Sequence, residues 1–106
     1  MTPQEILKVE ENIVEALKTV YDPEIPVNVY DLGIIYDIEV LSSGETNIVM
    51  TLTAPNCPMA DEVMQMIKDA TQSVEGVSKA NVELVFEPQW DRSMISDEAL
   101  LELGLL

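Results

Sequence analysis

Cys57 is the only cysteine in the chain, and it lies in Thr51-Leu52-Thr53-Ala54-Pro55-Asn56-Cys57-Pro58-Met59-Ala60-Asp61, where an alternating strand pattern gives way to a helical one. Asn56 or Cys57 falls at the N-cap and Pro58 in the first turn, where a missing N–H costs nothing and the fixed φ is already helical. A thiol at a helix start meets unpaired N–H groups and the positive end of the helix dipole. Both favour the thiolate, the form that ligates soft metals or attacks electrophiles. Asp61 and Glu62 pull the other way by adding negative charge. The chain has no histidine, which excludes histidine acid-base catalysis and any Cys/His zinc site built within one chain. A thiol enzyme would lack both a histidine base and a second, resolving cysteine. Cys57 therefore reads as a soft-metal ligand or a nucleophile, set against the plain packing value of a buried cysteine. A second set of chemical groups is Asp22, Glu24 and Asp31, carried by a loop rich in apolar residues. These acids either cap turns or line the Cys57 site.

The elements that must position these groups follow from periodicity. Thr2-Pro3-Gln4-Glu5 has the form of a capping box, and Ile6, Val9, Ile13, Ala16, Leu17 and Val20 recur at helical spacing, so an amphipathic helix is expected from Thr2 to about Val20. Pro23, Pro26 and Gly33 predict an ordered, irregular loop over residues 21–33, packed onto the domain by Ile25, Val27, Val29 and Leu32. Ile34, Tyr36, Ile38 and Val40 alternate with Ile35, Asp37 and Glu39, and after a turn at Gly44 the run from Thr46 to Thr53 alternates again. The two form an antiparallel hairpin whose second strand leads to Cys57. A helix with Val63, Met64, Ile67, Ala70 and Val74 on its apolar face follows, with Gly76 as its αL residue. Met59, Met64 and Met66 read as core filling rather than as a soft-metal surface. Lys79 to Phe86 is the third strand. Pro88 then turns the chain, Trp90 anchors the tail, and Ser96 caps a short helix closed by Gly104. The order helix, strand, strand, helix, strand, short helix implies an α+β two-layer sandwich with helices on one face of a three-stranded sheet.

A length of 106 residues fits one domain over residues 1–106. A net charge of -15 opposes phosphate backbones, and Lys8, Lys18, Lys68, Lys79 and Arg92 are scattered, so nucleic acid is not an expected partner. The acidity serves solubility or docking on a basic partner. One cysteine cannot close an internal disulfide, and no signal segment or membrane-length apolar run is present, so a cytoplasmic protein that meets no membrane is expected.

Three segments together resemble the small iron-sulfur cluster assembly domain family, which includes SufT-like and PaaD-like proteins and the small subunit of the cytosolic iron-sulfur targeting complex. They are Asp22-Pro23-Glu24-Ile25-Pro26 with Tyr30-Asp31-Leu32-Gly33, then residues 50–61, then Trp90 with residues 94–99 and Leu103-Gly104. The resemblance places Asp22, Glu24, Asp31, Gly33, Thr51, Thr53 and Cys57 at the family's motif positions. It implies an accessory factor in cluster assembly or delivery, not an enzyme, with Cys57 as metal ligand and Asp22, Glu24, Asp31, Thr51 and Thr53 around a transient, labile iron-sulfur cluster. The implied partners are the assembly machinery and client apo-proteins. Because a cluster takes about four thiolate-type ligands, one cysteine per chain needs a second protomer in a homodimer, small thiols, or a client to complete the set. The alternative is an acidic adaptor that bridges assembly proteins and clients without binding metal.

Overall fold

In a computed structural model of the chain, residues 1–23, 25–53 and 60–104 are described. The first helix, α1 (Pro3–Leu17), opens on the expected capping box: Glu5 N donates to Thr2 Oγ1 and Thr2 N donates to Glu5 Oε1. It buries Val9, Ile13 and Leu17 and ends three residues short of Val20. Thr19 Oγ1 and Thr19 N both turn back to Ala16 O, and Val20 is carried into the core outside the helix.

The stretch expected to be irregular contains a short helix, α2 (Val29–Leu32). Asn28 caps it by accepting from Asp31 N, and Gly33 closes it in the left-handed region at φ 86°. Two prolines upstream hide this turn from a composition-based reading, while the Asn28 cap and the glycine stop build it locally. Val27, Val29 and Leu32 are buried, so the loop does pack onto the core.

Strands β1 (Ile35–Val40) and β2 (Glu45–Met50) form the antiparallel hairpin. Its register slips once, because Ile35 pairs with Met50 and Asp37 with Val49. Tyr36 is therefore the extra residue of a bulge, and the expected unbroken alternation from Ile34 to Val40 changes phase there. Ile35 shares a face with Met50 before the bulge, and Ile38 and Val40 share one with Ile48 and Thr46 after it. Helix α3 (Ala60–Gln72) crosses back, so that β3 (Lys79–Leu84) lies parallel to β2 in the order β1-β2-β3. Both hairpin and crossover are what short and helical connections respectively permit. All three strands are shorter than the alternation suggests at one or both ends; the third stops before Phe86, which is exposed.

Helices α1 and α3 pack against each other and against the sheet. Their apolar stripes meet Ile34, just before β1, and Val40, Ile48, Met50 and Ala80 from the strands. Met64 and Met66 pack partly buried against this core, as filling. The tail forms a 3-10 turn at Arg92–Met94 and then α4 (Asp97–Glu102), capped by Ser96 accepting from Ala99 N. Ile95 and Ala99 bury against the core. The result is the expected α+β arrangement of a three-stranded sheet with helices. Among the described residues no helix is long and apolar enough to cross a membrane.

Candidate functional site

Cys57 and Glu24 lie outside the described residues, as does the helix start at Asn56, Cys57 and Pro58. The remaining sequence-predicted residues, Asp22, Asp31, Thr51 and Thr53, stand in two segments joined by the C-terminal tail.

The first segment is a pinched loop. Val29 N donates to Val20 O at 2.8 Å and Asp22 N to Val27 O at 3.2 Å, which closes residues 20–29 on themselves. Asp22 is buried and its Oδ1 accepts from Ile25 N at 3.0 Å, the bond of a side chain that shapes its own turn. Asp31 is fixed by a reciprocal pair: Asp31 N donates to Asn28 Oδ1 at 2.9 Å, and Asn28 Nδ2 donates to Asp31 Oδ2 at 2.8 Å. Both acids thus have turn-building work, and their backbone places them in the segment that ends at Gly33.

The second segment continues β2. Thr51 is buried and its N–H donates to Ile34 O at 2.9 Å, which extends the hairpin past the bulge. Thr51, Leu52 and Thr53 line one side of a cleft of about 230 Å³ whose other side is Phe86, Glu87, Gln89 and Trp90. Thr53 is half-buried at the last described position before the cysteine segment.

Four contacts tie the tail to the Asp22 to Gly33 segment and to β1. Trp90 Nε1 donates to Leu32 O at 2.8 Å, Ser96 N donates to Asp31 O at 2.8 Å, and Gly33 lies against the Met94 backbone. The fourth is Tyr36, whose hydroxyl donates to Pro88 O at 2.7 Å and lies 3.6 Å from Met94 Sδ. Burial pushes the Tyr36 phenol above its ordinary range; a hydrogen bond with the Thr51 side chain pulls it down, and the Asp91 and Glu87 carboxylates add to the rise. Asp91 is held below the usual carboxylate range by its bonds from the Ser93 hydroxyl and N–H. Tyr36 is accordingly a neutral hydroxyl at physiological pH, linking the bulge, Thr51 and the tail. Sequence periodicity assigned it only to an apolar strand face. The bulge leaves no mark in spacing, so nothing in the pattern pointed to this role.

The described groups supply hydroxyl and carboxylate oxygens, and no three His, Cys, Asp or Glu side chains among them converge as a metal site. Oxygen donors suit hard cations, whereas iron-sulfur clusters take thiolates. The chain's one thiol is Cys57, in the segment that continues from this cleft.

Residues 10–84 match the family profile described as iron-sulfur cluster assembly protein, and the chain belongs to that family. It is 54% identical over 102 residues to the "Fe-S protein maturation auxiliary factor" of Porphyromonas gingivalis, covering 96% of this chain and 97% of that protein. It is 38% identical over 102 residues to "Fe-S protein maturation auxiliary factor YitW" of Bacillus subtilis, covering 96% and 98%. Among solved structures, a domain of unknown function from Bacillus anthracis superposes with a TM-score of 0.90 at 28% identity, over 99% of this chain and all of that one. The profile stops at residue 84, so Tyr36 and the two motif segments fall inside it while the tail that binds them falls outside.

Proposed function

We propose that this protein is an accessory factor in the maturation of iron-sulfur proteins, acting on cluster cargo rather than catalysing a turnover reaction, and that Cys57 is the thiolate that meets the cargo. The observation that carries the reading is membership of the iron-sulfur assembly family, alongside near full-length similarity to proteins named as maturation auxiliary factors. The arrangement supports it: Thr51 to Thr53 wall a cleft and precede the chain's only cysteine in sequence, and the tail that forms the opposite wall is bonded to the Asp22 to Gly33 loop through Trp90 and Leu32. With one thiolate per chain, the remaining ligands come from a second copy, from small thiols or from the client, and each arrangement is labile. Lability is what a donor requires. The partners are the assembly machinery and client apo-proteins, in the cytoplasm where the thiol stays reduced. The whole chain acts as one domain. Asp22, Glu24, Asp31, Thr51 and Thr53 shape the surroundings of the thiol in this reading, the first and third by holding the loop.

Anaerobic incubation with iron and sulfide, followed by absorption spectra and iron counting, tests the ligand role. Wild type is expected to bind iron with charge-transfer bands that Cys57→Ala lacks. Equal iron and equal spectra in both would leave the adaptor reading, in which no metal is bound.

A further inference from the structure

The sheet ends at β3 among the described residues, with β2 on one side and no strand on the other. The phase of its backbone bonds is fixed at both ends. Val85 N donates to Met50 O at 2.8 Å, across the sheet, while Ala80 N turns the opposite way and donates to Gln72 Oε1 at 2.9 Å. Alternate residues of a strand serve one neighbour, so Asn81 and Glu83 bond toward β2, and Val82 and Leu84 direct their N–H and C=O groups to the edge. Gln72 already imitates a neighbouring strand at the start of this edge. Its Oε1 takes the Ala80 N–H and its Nε2 donates to Ser78 O at 3.3 Å. Beyond that imitation the edge runs on in unbroken register to Leu84. The opposite edge, on β1, is interrupted by the Tyr36 bulge, a feature that blunts strand addition.

Along the open edge lies a groove of about 480 Å³ between α3 and β3, lined by Asp61, Met64, Gln65, Lys68, Asn81 and Val82. The sheet face away from the helices carries Asp37, Glu39, Glu45 and Glu83 against the single base Lys79, so it is acidic on balance. The register sets Asp37, Val49 and Glu83 in one row and Glu39, Asn47 and Asn81 in the next. Asn47 Nδ2 donates to Glu39 Oε1 at 3.0 Å, and Asn81 Nδ2 donates to Glu45 Oε2 at 3.1 Å, so the amides hold these carboxylates on the surface.

We propose that the outer edge of β3, with the groove beneath it, receives an extended segment of a partner protein whose side chains alternate between apolar and basic. The backbone of that segment completes the ladder at Val82 and Leu84. Its apolar side chains fall toward Met64 and Val82, and its basic ones toward Glu83 and the carboxylates of the open face, following the two-residue period of a strand. Charge selects another protein over a second copy of this chain, because each copy carries -15. The inference does not depend on the role of Cys57.

The test uses the isotope-labelled full chain and a synthetic octapeptide of alternating valine and lysine, with an alternating valine and glutamate octapeptide as control. The lysine peptide is expected to slow amide exchange at Val82 and Leu84 at least tenfold and to leave Ile38 unchanged, with affinity that falls as salt rises. Val82→Pro removes an outward N–H without touching the ladder to β2, and Glu83→Lys reverses an exposed charge; each is expected to weaken binding at least tenfold. Glu83→Lys serves alone if the proline variant does not fold. The proposal is overturned by unchanged exchange at Val82 and Leu84, by equal binding of the glutamate peptide, or by full binding to Glu83→Lys. Protection that appears at high protein concentration without peptide also overturns it, since a second copy would then occupy the edge.

Discussion

Gly33→Ala tests whether the tail and the Asp22 to Gly33 loop form one unit. Gly33 has φ 86°, where a side chain costs about 1–2 kcal/mol from contact with its own backbone. An added Cβ would also strike the Met94 carbonyl and come within 2.8 Å of Met94 C and 2.9 Å of Met94 Cβ. The carbonyl and its carbon belong to the backbone, so the tail itself must shift, an overpacking cost of about 1–3 kcal/mol. Together these predict destabilisation of about 2–5 kcal/mol, or a fall in Tm on the order of 10–20 °C for a chain of this size. Trp90 is the only tryptophan and its indole N–H bonds to Leu32 O, one residue from the substitution. Its emission should therefore move to longer wavelength as the tail lifts. Gly104→Ala is the internal control: its φ is 77° but nothing lies within 4 Å of the added Cβ, so only about 1–2 kcal/mol is expected and Trp90 should not respond. Equal Tm losses in the two variants, or a Gly33→Ala protein with unchanged tryptophan emission, would refute the idea that Gly33 seats the tail.

Tyr36→Phe removes the bond to Pro88 O and is expected to cost about 0.5–1.5 kcal/mol at neutral pH by thermal denaturation. Because burial raises the folded-state pKa of Tyr36 above the ordinary phenol value of 10.0, its stabilisation is complete below that pH and is lost as pH rises through the folded value. Wild type should therefore lose stability above about pH 10 more steeply than Tyr36→Phe, and parallel alkaline curves would count against the assignment. Asn28→Ala deletes the cap of α2 and its bond to Asp31, with an expected cost of about 0.5–2 kcal/mol and faster exchange at the Asp31 amide.

Local signals carried much of the fold into the sequence. Thr2 and Glu5 announce α1 because both halves of the capping box lie within four residues. The hairpin is legible because β2 alternates without interruption, with Thr46, Ile48 and Met50 fully buried. The Tyr36 bulge was not, since an extra residue changes the phase of a strand without changing its composition. Helix α2 was hidden for another reason: four residues are too few to display helical periodicity, and the evidence for it is one cap pair and one glycine. The bracing of the site was least legible of all. It joins Trp90 to Leu32 and Tyr36 to Pro88 over more than fifty residues of sequence, and no local pattern encodes contacts of that range. The motif segments themselves were readable by resemblance, and Asp22 and Asp31 prove to be bonded within their own loop.

Whether Cys57 meets cluster cargo as a thiolate is decided by Cys57→Ser. Serine is close in size and its hydroxyl can cap a helix, so stability should change by no more than about 1 kcal/mol, yet an alcohol does not replace a thiolate toward iron. In cells lacking the native copy, the measurement is the activity of iron-sulfur enzymes with wild type or Cys57→Ser supplied, beside thermal denaturation of the purified variant. A folded variant that leaves those enzymes inactive is the result expected of a thiolate ligand. Full enzyme activity from a stably folded Cys57→Ser protein would contradict it.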